Sequence, residues 1–274
     1  MKKLTLLLFL HAFFGNAQIK VVMKNRDTDV PIAYANVWDG NKLVTSSDSL
    51  GIFYLREGRP QTRYRISAIG FETLEAITIT ETATILMANK VVTLDEIQMS
   101  PPKYDKKVNL GKLKNGDVGI VCRMDDLVPI IGKYFPNDSK ATLFLDRLKF
   151  KAFSSAKNRI VAISLYSVDD DGTPDEPIST ENIVCRLKKG HHVAEVDLRP
   201  HRIPFSERGI FVVIHYLPLE QNRCYAANNK EWFFYEPSLD AIENRGTPDW
   251  WNFTKDGWVK RDKYTLSVQL TLTD

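Results

Sequence analysis

Hydrophobic and polar residues alternate in short runs along most of the chain. The run from Ile19 to Lys24 sets Ile19, Val21 and Met23 against two lysines, and later runs of similar length follow between Gly, Asp, Pro and Ser residues. Short strands separated by turn residues are typical of a sandwich or barrel, and no segment keeps a 3.6-residue stripe. The pattern predicts an all-β protein. A short helix over residues 238–245 is the one expected exception.

The runs fall into two groups, separated by a polar and basic stretch at residues 101–117. This stretch contains Pro101, Pro102, Gly111 and Gly116, which is typical of a linker between domains. Residues 18–100 form the first group. About eight runs over residues 118–274 form the second, and they predict a jelly-roll-like β-sandwich.

Five motifs in the first group occur in a fixed order. They are Pro31-Ile32 with Ala35-Asn36-Val37, Ser47-Asp48, Gly51-Ile52-Phe53-Tyr54-Leu55, Ile66-Ser67-Ala68-Ile69-Gly70-Phe71 and Leu94-Asp95-Glu96-Ile97. Over residues 18–100 this order resembles the carboxypeptidase-regulatory-like domain. It departs from the family at three places. This chain has Lys20-Val21-Val22 where the family usually has Gly-x-Val, Ser47 where Thr is commoner, and Phe71 where Tyr is commoner. The resemblance implies a seven-stranded, transthyretin-like sandwich without catalytic residues, often accessory to another part of the protein.

The residues themselves favour the same local structure. Asp48 and Gly51 suit a turn in which the carboxylate accepts backbone N–H bonds and glycine takes a positive φ. Phe53 and Leu55 are two residues apart, so they are expected to point together into a core.

The first seventeen residues have the pattern of a secretory signal peptide. Lys2 and Lys3 precede an apolar run from Leu4 to Phe14, and small residues follow at Gly15 and Ala17. We expect cleavage after Ala17 and export to the periplasm, the outer-membrane surface or the medium. The run is too short to cross about 30 Å of hydrocarbon, so no transmembrane span is expected in the mature chain. Residues 159–178 are also similar to tail domains of exported proteins of Gram-negative bacteria.

Net charge argues against a polyanionic partner. The chain carries +3, and without residues 1–17 it has 35 basic and 34 acidic residues. Nucleic acid and anionic lipid both require a clustered basic surface, so neither is expected as a partner.

The chain has three cysteines, Cys122, Cys185 and Cys224. An exported protein can pair two of them and leave one free, whereas their apolar surroundings favour three buried thiols. No C-x-x-C motif is present, so a redox motif or a zinc knuckle is not expected.

Two motifs have residue types or spacings that occur in metal-binding sites. His192 and Glu195 have the H-x-x-E spacing of metallocarboxypeptidases, but residues three apart on a strand face opposite sides and cannot share an ion. Asp169-Asp170-Asp171-Gly172 offers oxygens for calcium but lacks the full twelve-residue loop, and the neighbouring prolines favour a solvated turn. No metal or other cofactor is therefore assigned, and calcium at the loop is left open.

Aromatic residues cluster near the end of the chain. Trp232-Phe233-Phe234-Tyr235 is followed by Trp250-Trp251-Asn252-Phe253 and by Trp258. Flat rings with polar neighbours suit sugar binding, whereas buried tryptophans build a core. Adjacent Trp250 and Trp251 cannot both face one core from one strand, so one is expected to be exposed or at an interface. Candidate ligand contacts are Trp250, Trp251, Asn252 and Trp258.

No motif for catalysis stands out. The chain has neither a G-x-S-x-G elbow nor a P-loop, and His215 lies inside an apolar run, as a core histidine does. We therefore expect a non-catalytic binding, adhesion or accessory protein of the bacterial envelope, with an envelope protein or a glycan as partner. One alternative is a polysaccharide hydrolase, which needs two carboxylates in one cleft. Another is a purely structural envelope component, in which every tryptophan is buried.

Overall fold

The structure is a computed structural model that describes residues 18–56, 61–90, 105–123, 130–138, 143–226, 229–243, 246, 248–254 and 257–274. The predicted signal peptide at residues 1–17 and the Leu94–Ile97 motif lie outside these ranges. The chain divides into two compact units. One comprises Met1–Gly40 with Val44–Asn89, and the other comprises Asn41–Leu43 with Lys90–Asp274.

Over its described residues, 18–56 and 61–89, the first unit contains seven strands, the number that the resemblance implies. They are β1 (Gln18–Asn25), β2 (Asn36–Asp39), β3 (Lys42–Ser46), β4 (Ile52–Arg56), β5 (Arg63–Ser67), β6 (Leu74–Thr78) and β7 (Ala83–Met87). One sheet has the order β4-β1-β7 and the other the order β3-β2-β5-β6. β1 pairs antiparallel with β4 and parallel with β7.

Alternation along these strands builds the core of the first unit. Ile19, Val21 and Met23 are buried along β1. Phe53 and Leu55 are almost fully buried on β4, whereas Tyr54 between them is 53% exposed. The prediction that Phe53 and Leu55 point together into the core is confirmed.

The turn before β4 is held by one aspartate. Asp48 Oδ1 accepts hydrogen bonds from the backbone N–H groups of Leu50 at 2.8 Å and Ile52 at 2.9 Å. Gly51 has a φ of +73°, and a Cβ atom there would lie 2.6 Å from the carbonyl oxygen of Met23. The predicted turn is confirmed, and this glycine is needed both for its φ and for the close approach to β1.

In its described residues the second unit contains fifteen strands and two short 3₁₀ helices, at Arg199–His201 and Glu220–Asn222. The strands are β8 (Lys107–Gly111), β9 (Val118–Arg123), β10 (Ile130–Phe135), β11 (Phe144–Ser154), β12 (Ile160–Val168), β13 (Pro174–Pro177), β14 (Ile183–Arg186), β15 (Gly190–Asp197), β16 (Ile210–Tyr216), β17 (Arg223–Ala226), β18 (Asn229–Glu243), β19 (Trp250–Thr254), β20 (Gly257–Arg261), β21 (Tyr264–Leu266) and β22 (Val268–Thr273).

These strands form two large sheets around one core. The seven-stranded sheet has the order β13-β12-β16-β10-β19-β20, with β14 also paired to β12. The eight-stranded sheet has the order β17-β18-β11-β22-β8, with β15 paired to β11 and with β9 and β21 paired to β18. Side chains such as Ile163 and Ile214 from the first sheet and Leu148 and Leu270 from the second belong to one buried cluster. The prediction of an all-β fold is confirmed. No helix in the described ranges is long and apolar enough to cross a membrane.

Two local predictions are wrong. The described part of the expected helix at residues 238–245 is the end of β18, where Leu239 pairs with Ile120 and Ala241 with Val118. Strand pairing here overrides the helix propensity of Leu, Ala and Glu. The expected linker at residues 101–117 contains β8, which forms five pairs with β22 at the edge of the eight-stranded sheet. Residues 101–104 of that linker lie outside the described ranges.

The seven-stranded sheet is covered on both faces. All seven residues of its central strand β16 are buried, including His215, which is 5% exposed and contacts the Ser164 hydroxyl through Nε2. Burial lowers the pKa of His215 to about 4. The expectation of a core histidine is confirmed.

Replacing Gly51 with alanine should destabilise the first unit more than replacing Gly40. Both have positive φ, but a Cβ at Gly40 meets no atom within 4 Å. We expect Gly51→Ala to lower the opening free energy of β1 and β4 by about 2–4 kcal/mol and Gly40→Ala by about 1 kcal/mol. Hydrogen exchange of the full chain measures both. Equal losses would contradict the close approach to Met23.

Acid should weaken the fold through His215. The ordinary pKa is 6.5 and the folded value about 4, so between these values the unfolded state binds more protons. The free energy of unfolding should therefore fall as pH falls from about 6.5 to about 4, by on the order of 3 kcal/mol. His215→Gln should remove this contribution while keeping a polar partner for Ser164. Urea titrations of both proteins across this pH range test it, and parallel stability curves would disprove it.

Candidate functional site

Trp250 and Trp251 are both buried, at 5% and 8% exposure, so of the two expected placements for one of them, solvent exposure does not occur. They do face opposite sides of β19. Trp250 belongs to the sandwich core, whereas Trp251 packs edge-on against Phe211 on the other face, with ring centroids 5.9 Å apart. Because the seven-stranded sheet is covered on both faces, alternation does not bring either ring to solvent.

Trp258 is half-buried and forms part of that outer cover. Its ring lies against Gly132, where a Cβ atom would be 3.4 Å from the nearest ring carbon, and it packs edge-on against Tyr166 at 6.0 Å. The absence of a side chain at Gly132 leaves room for this close approach of the indole to the sheet. Of the four predicted contacts, Trp258 keeps the most accessible side chain.

Asn252 and Lys133 are both buried polar residues of the seven-stranded sheet. Asn252 is 8% exposed. The buried amine of Lys133 donates to Asp249 Oδ2 at 2.8 Å and to the carbonyl oxygen of Leu266 at 3.1 Å. Burial lowers the pKa of Lys133, and Asp249 opposes this shift. The polar groups beside Trp250 therefore serve the interior, and ligand contact by Trp250, Trp251, Asn252 and Trp258 stays a prediction.

His192 and Glu195 lie on β15 as expected. Val193 and Glu195 are exposed, whereas Ala194 is buried and His192 half-buried on the other face. Glu195 pairs with Arg147 at 2.5 Å, and His192 Nδ1 lies 2.9 Å from the Gly190 carbonyl oxygen. The prediction that the two side chains face opposite sides is confirmed. Within the described ranges, no three His, Cys, Asp or Glu side chains gather around a possible ion position.

The acidic loop is held by its own hydrogen bonds. Asp169 Oδ1 accepts from the N–H groups of Asp171 at 3.0 Å and Thr173 at 2.7 Å, and its Oδ2 accepts from the Thr173 hydroxyl. The hydroxyl contact, followed by the Thr173 N–H contact, lowers the pKa of Asp169. Asp170 pairs with Arg208 at 2.5 Å. Two of the three aspartates are thus engaged within the protein.

All three cysteines are free. Cys122 and Cys185 are buried, and Cys224 is half-buried. Burial raises the pKa of Cys185 to about 11, which keeps its thiol protonated and unreactive at neutral pH. The expectation of three buried thiols is confirmed for Cys122 and Cys185, and Cys224 is more accessible than expected.

A groove of about 650 Å³ lies on the solvent-facing side of the eight-stranded sheet. Residues 115–119 run beside β11, β15 and β18 and form one wall. The lining residues are Asn115, Gly116, Asp117, Val118, Gly119, Lys151, Ala152, Phe153, His191, His192, Val193, Ser238 and Asp240. This volume is within the usual range of small-molecule sites.

An aromatic pair forms one side of the groove. Phe153 and His191 are directly opposite each other in the β11–β15 register, with ring centroids 4.7 Å apart. Phe153 is half-buried and His191 exposed. A ligand in the groove therefore meets ring surface held between two paired strands.

Charged and polar groups line the rest of the groove. Asp240 Oδ2 accepts from the Gly116 N–H at 3.1 Å, and Asp117 Oδ2 accepts from the Glu243 N–H at 2.7 Å. A carboxylate has two acceptor oxygens, so each side chain retains capacity for a ligand donor. The Lys151 ammonium contacts Asn115 Oδ1. The groove thus combines ring surface with donors and acceptors and carries little net charge.

Sequence reasoning missed this groove because its residues come from four separate segments. Asn115, Gly116 and Asp117 lie in the expected linker, and Ser238 and Asp240 lie in the expected helix. One signal was available in β11. Its outward-facing residues Arg147, Lys149 and Lys151 are all cationic, and the next outward-facing residue is the aromatic Phe153. The change from cations to an aromatic ring marks the end of β11 that lines the groove.

Comparisons with known proteins do not identify a family. No protein-family model matches the chain, and no curated protein matches it. A solved structure similar to it is described as "Structure of infectious bursal disease virus Gx strain", with 9% identity and a TM-score of 0.24. The likeness covers 88% of this chain and 52% of the viral chain, so this chain spans about half the length of that neighbour. A TM-score this low carries no argument, and the carboxypeptidase-regulatory-like resemblance stays a prediction.

Proposed function

We propose that this chain is a non-catalytic binding module of an exported bacterial envelope protein, and that its second unit holds an uncharged glycan in the groove. The observation that carries the proposal is the Phe153–His191 pair beside Lys151, Asn115 and Asp240 in one open groove. Ring surface suits the apolar side of a sugar, and the polar side chains suit its hydroxyl groups.

A glycan suits the groove better than an extended peptide. Peptides that join a sheet bond to an unpaired strand edge. At the groove the residues of β11 already pair with β15 on one side and with β18 on the other. Recognition here must therefore use side chains, and the nearly balanced charge of the lining disfavours strongly charged polymers.

Both units fit an accessory role. The resemblance of the first unit implies a sandwich without catalytic residues, and we propose that it acts as a spacer. In the second unit, Asp117 and Asp240 are two carboxylates in one groove, as the hydrolase alternative requires. Each uses one oxygen to hold backbone N–H groups of neighbouring segments, which favours a structural and ligand-accepting role.

Removing the ring of Phe153 should weaken glycan binding. We expect Phe153→Ala to reduce affinity at least tenfold, about 1.4 kcal/mol, for the best binder among uncharged oligosaccharides on a glycan array. Calorimetry on the full chain measures the change. Lys149→Ala is the matched control, because Lys149 lies on the same face of β11, pairs with Glu195 and does not line the groove.

Three results would overturn the proposal. One is the absence of binding to any uncharged oligosaccharide. A second is an equal loss of affinity in the Phe153 and Lys149 variants. The third is that wild type releases new reducing ends from an oligosaccharide and that both Asp117→Asn and Asp240→Asn abolish this release. That result would establish the hydrolase instead.

A further inference from the structure

The hairpin formed by β17 and β18 carries aromatic side chains on both faces. Arg223 is opposite Tyr235, Cys224 opposite Phe234, and Tyr225 opposite Phe233. Directly opposite residues of an antiparallel pair share a face, and neighbours along a strand alternate. One face therefore carries Tyr225, Phe233 and Tyr235, and the other carries Trp232 and Phe234.

The first of these faces is occupied by contacts within the hairpin. Phe233 packs edge-on against Tyr225 at 6.1 Å and against Tyr235 at 5.6 Å. The Arg223 guanidinium lies 4.7 Å from the centre of the Phe233 ring. Tyr235 also packs against the core of the second unit. Tyr235 therefore joins this face to the interior of the sandwich, whereas Tyr225 at its other end is 49% exposed.

The second face continues the groove side of the sheet. On β9, Gly119 and Arg123 are four residues apart and share a face. Gly119 is opposite Asp240 and Arg123 is opposite Phe234, so Phe234 is on the same side of the sheet as the groove residue Asp240. Trp232 is two residues from Phe234, and their rings are 5.9 Å apart.

The two aromatic pairs on this side are close enough for one extended ligand. Cys224, opposite Phe234, has its Sγ 3.9 Å from the Ser155 hydroxyl, and Ser155 is two residues after Phe153. Ser238 and Phe234 are four residues apart on β18, which is at most roughly 13 Å. The register with β9 shifts between Tyr235 and Leu239, so the strand is not fully extended there. Between them, Glu236 is 2% exposed and bound to Arg159 at 2.9 Å, so it does not project into this path.

We infer that Trp232 and Phe234 form a second aromatic platform that extends the groove, so that the second unit binds a glycan chain rather than a single sugar. This inference rests on the proposed function of the groove. Both rings are half-buried, which leaves part of each surface open for a sugar to stack on. A short oligosaccharide fills the groove alone, and a longer one also contacts the Trp232 ring.

The test compares affinity with chain length. The probes are oligomers of two to six residues of glucose, mannose or N-acetylglucosamine, and the series that binds wild type best is used throughout. For wild type we expect hexamer affinity at least tenfold above dimer affinity. In Trp232→Ala this gain should fall to less than threefold. Tyr225→Ala is the matched control, since Tyr225 is a 49% exposed aromatic residue on the opposite face of the same hairpin, and it should keep the full gain.

The outcomes separate this inference from the proposed function. If wild type binds no uncharged oligosaccharide, neither on the glycan array nor in these three series, the proposed function fails and the extension fails with it. If wild type binds but its affinity does not rise with oligomer length, glycan binding in the groove is retained and the extension is wrong. If the Trp232 and Tyr225 variants lose the hexamer-over-dimer gain in affinity equally, the extension is also contradicted. The loss would then come from general damage to the hairpin. Unchanged dimer affinity in Trp232→Ala serves as the check that the variant is folded.

Discussion

The two-sided character of a β-strand is the constraint on which the second unit depends. Along β11 the residues alternate between core and surface, from Leu148 and Phe150 inside to Lys149 and Lys151 outside. Every candidate contact follows from this alternation, because a side chain reaches a ligand only from a face that is left open. The groove lies on such a face, and the tryptophans of β19 do not.

The two sheets of the second unit differ in how many of their faces are covered. In the eight-stranded sheet one face is packed and the other is solvated, which leaves room for Phe153 and His191. The seven-stranded sheet is covered on both sides, since Trp251, Phe211 and Trp258 form an aromatic layer opposite the core. Such a sheet hides polar groups as well, among them the amine of Lys133 and the imidazole of His215. The same chain therefore uses aromatic residues for packing in one sheet and exposes them in the other.

Sequence reasoning predicted what depends on neighbours along the chain. The all-β class, the Asp48–Gly51 turn, the inward pair in β4 and the opposed faces of β15 all follow from local alternation. What it missed depends on pairing between distant strands. Residues 238–243 form a strand because β9, β11 and β21 pair with them, and the groove exists because four separate segments meet. The burial of both Trp250 and Trp251 could not be predicted from β19 alone, because the cover on the second face of the sheet comes from other strands.

Hydroxyl-radical footprinting with mass spectrometry, with and without the best-binding oligosaccharide, tests the central claim most directly. The account predicts that Phe153 and His191 are oxidised in the free protein and protected by the sugar, whereas Trp250 and Trp251 resist oxidation in both states. Strong oxidation of Trp250 or Trp251 that the sugar suppresses, with no change at Phe153 and His191, would contradict it and return the binding site to β19.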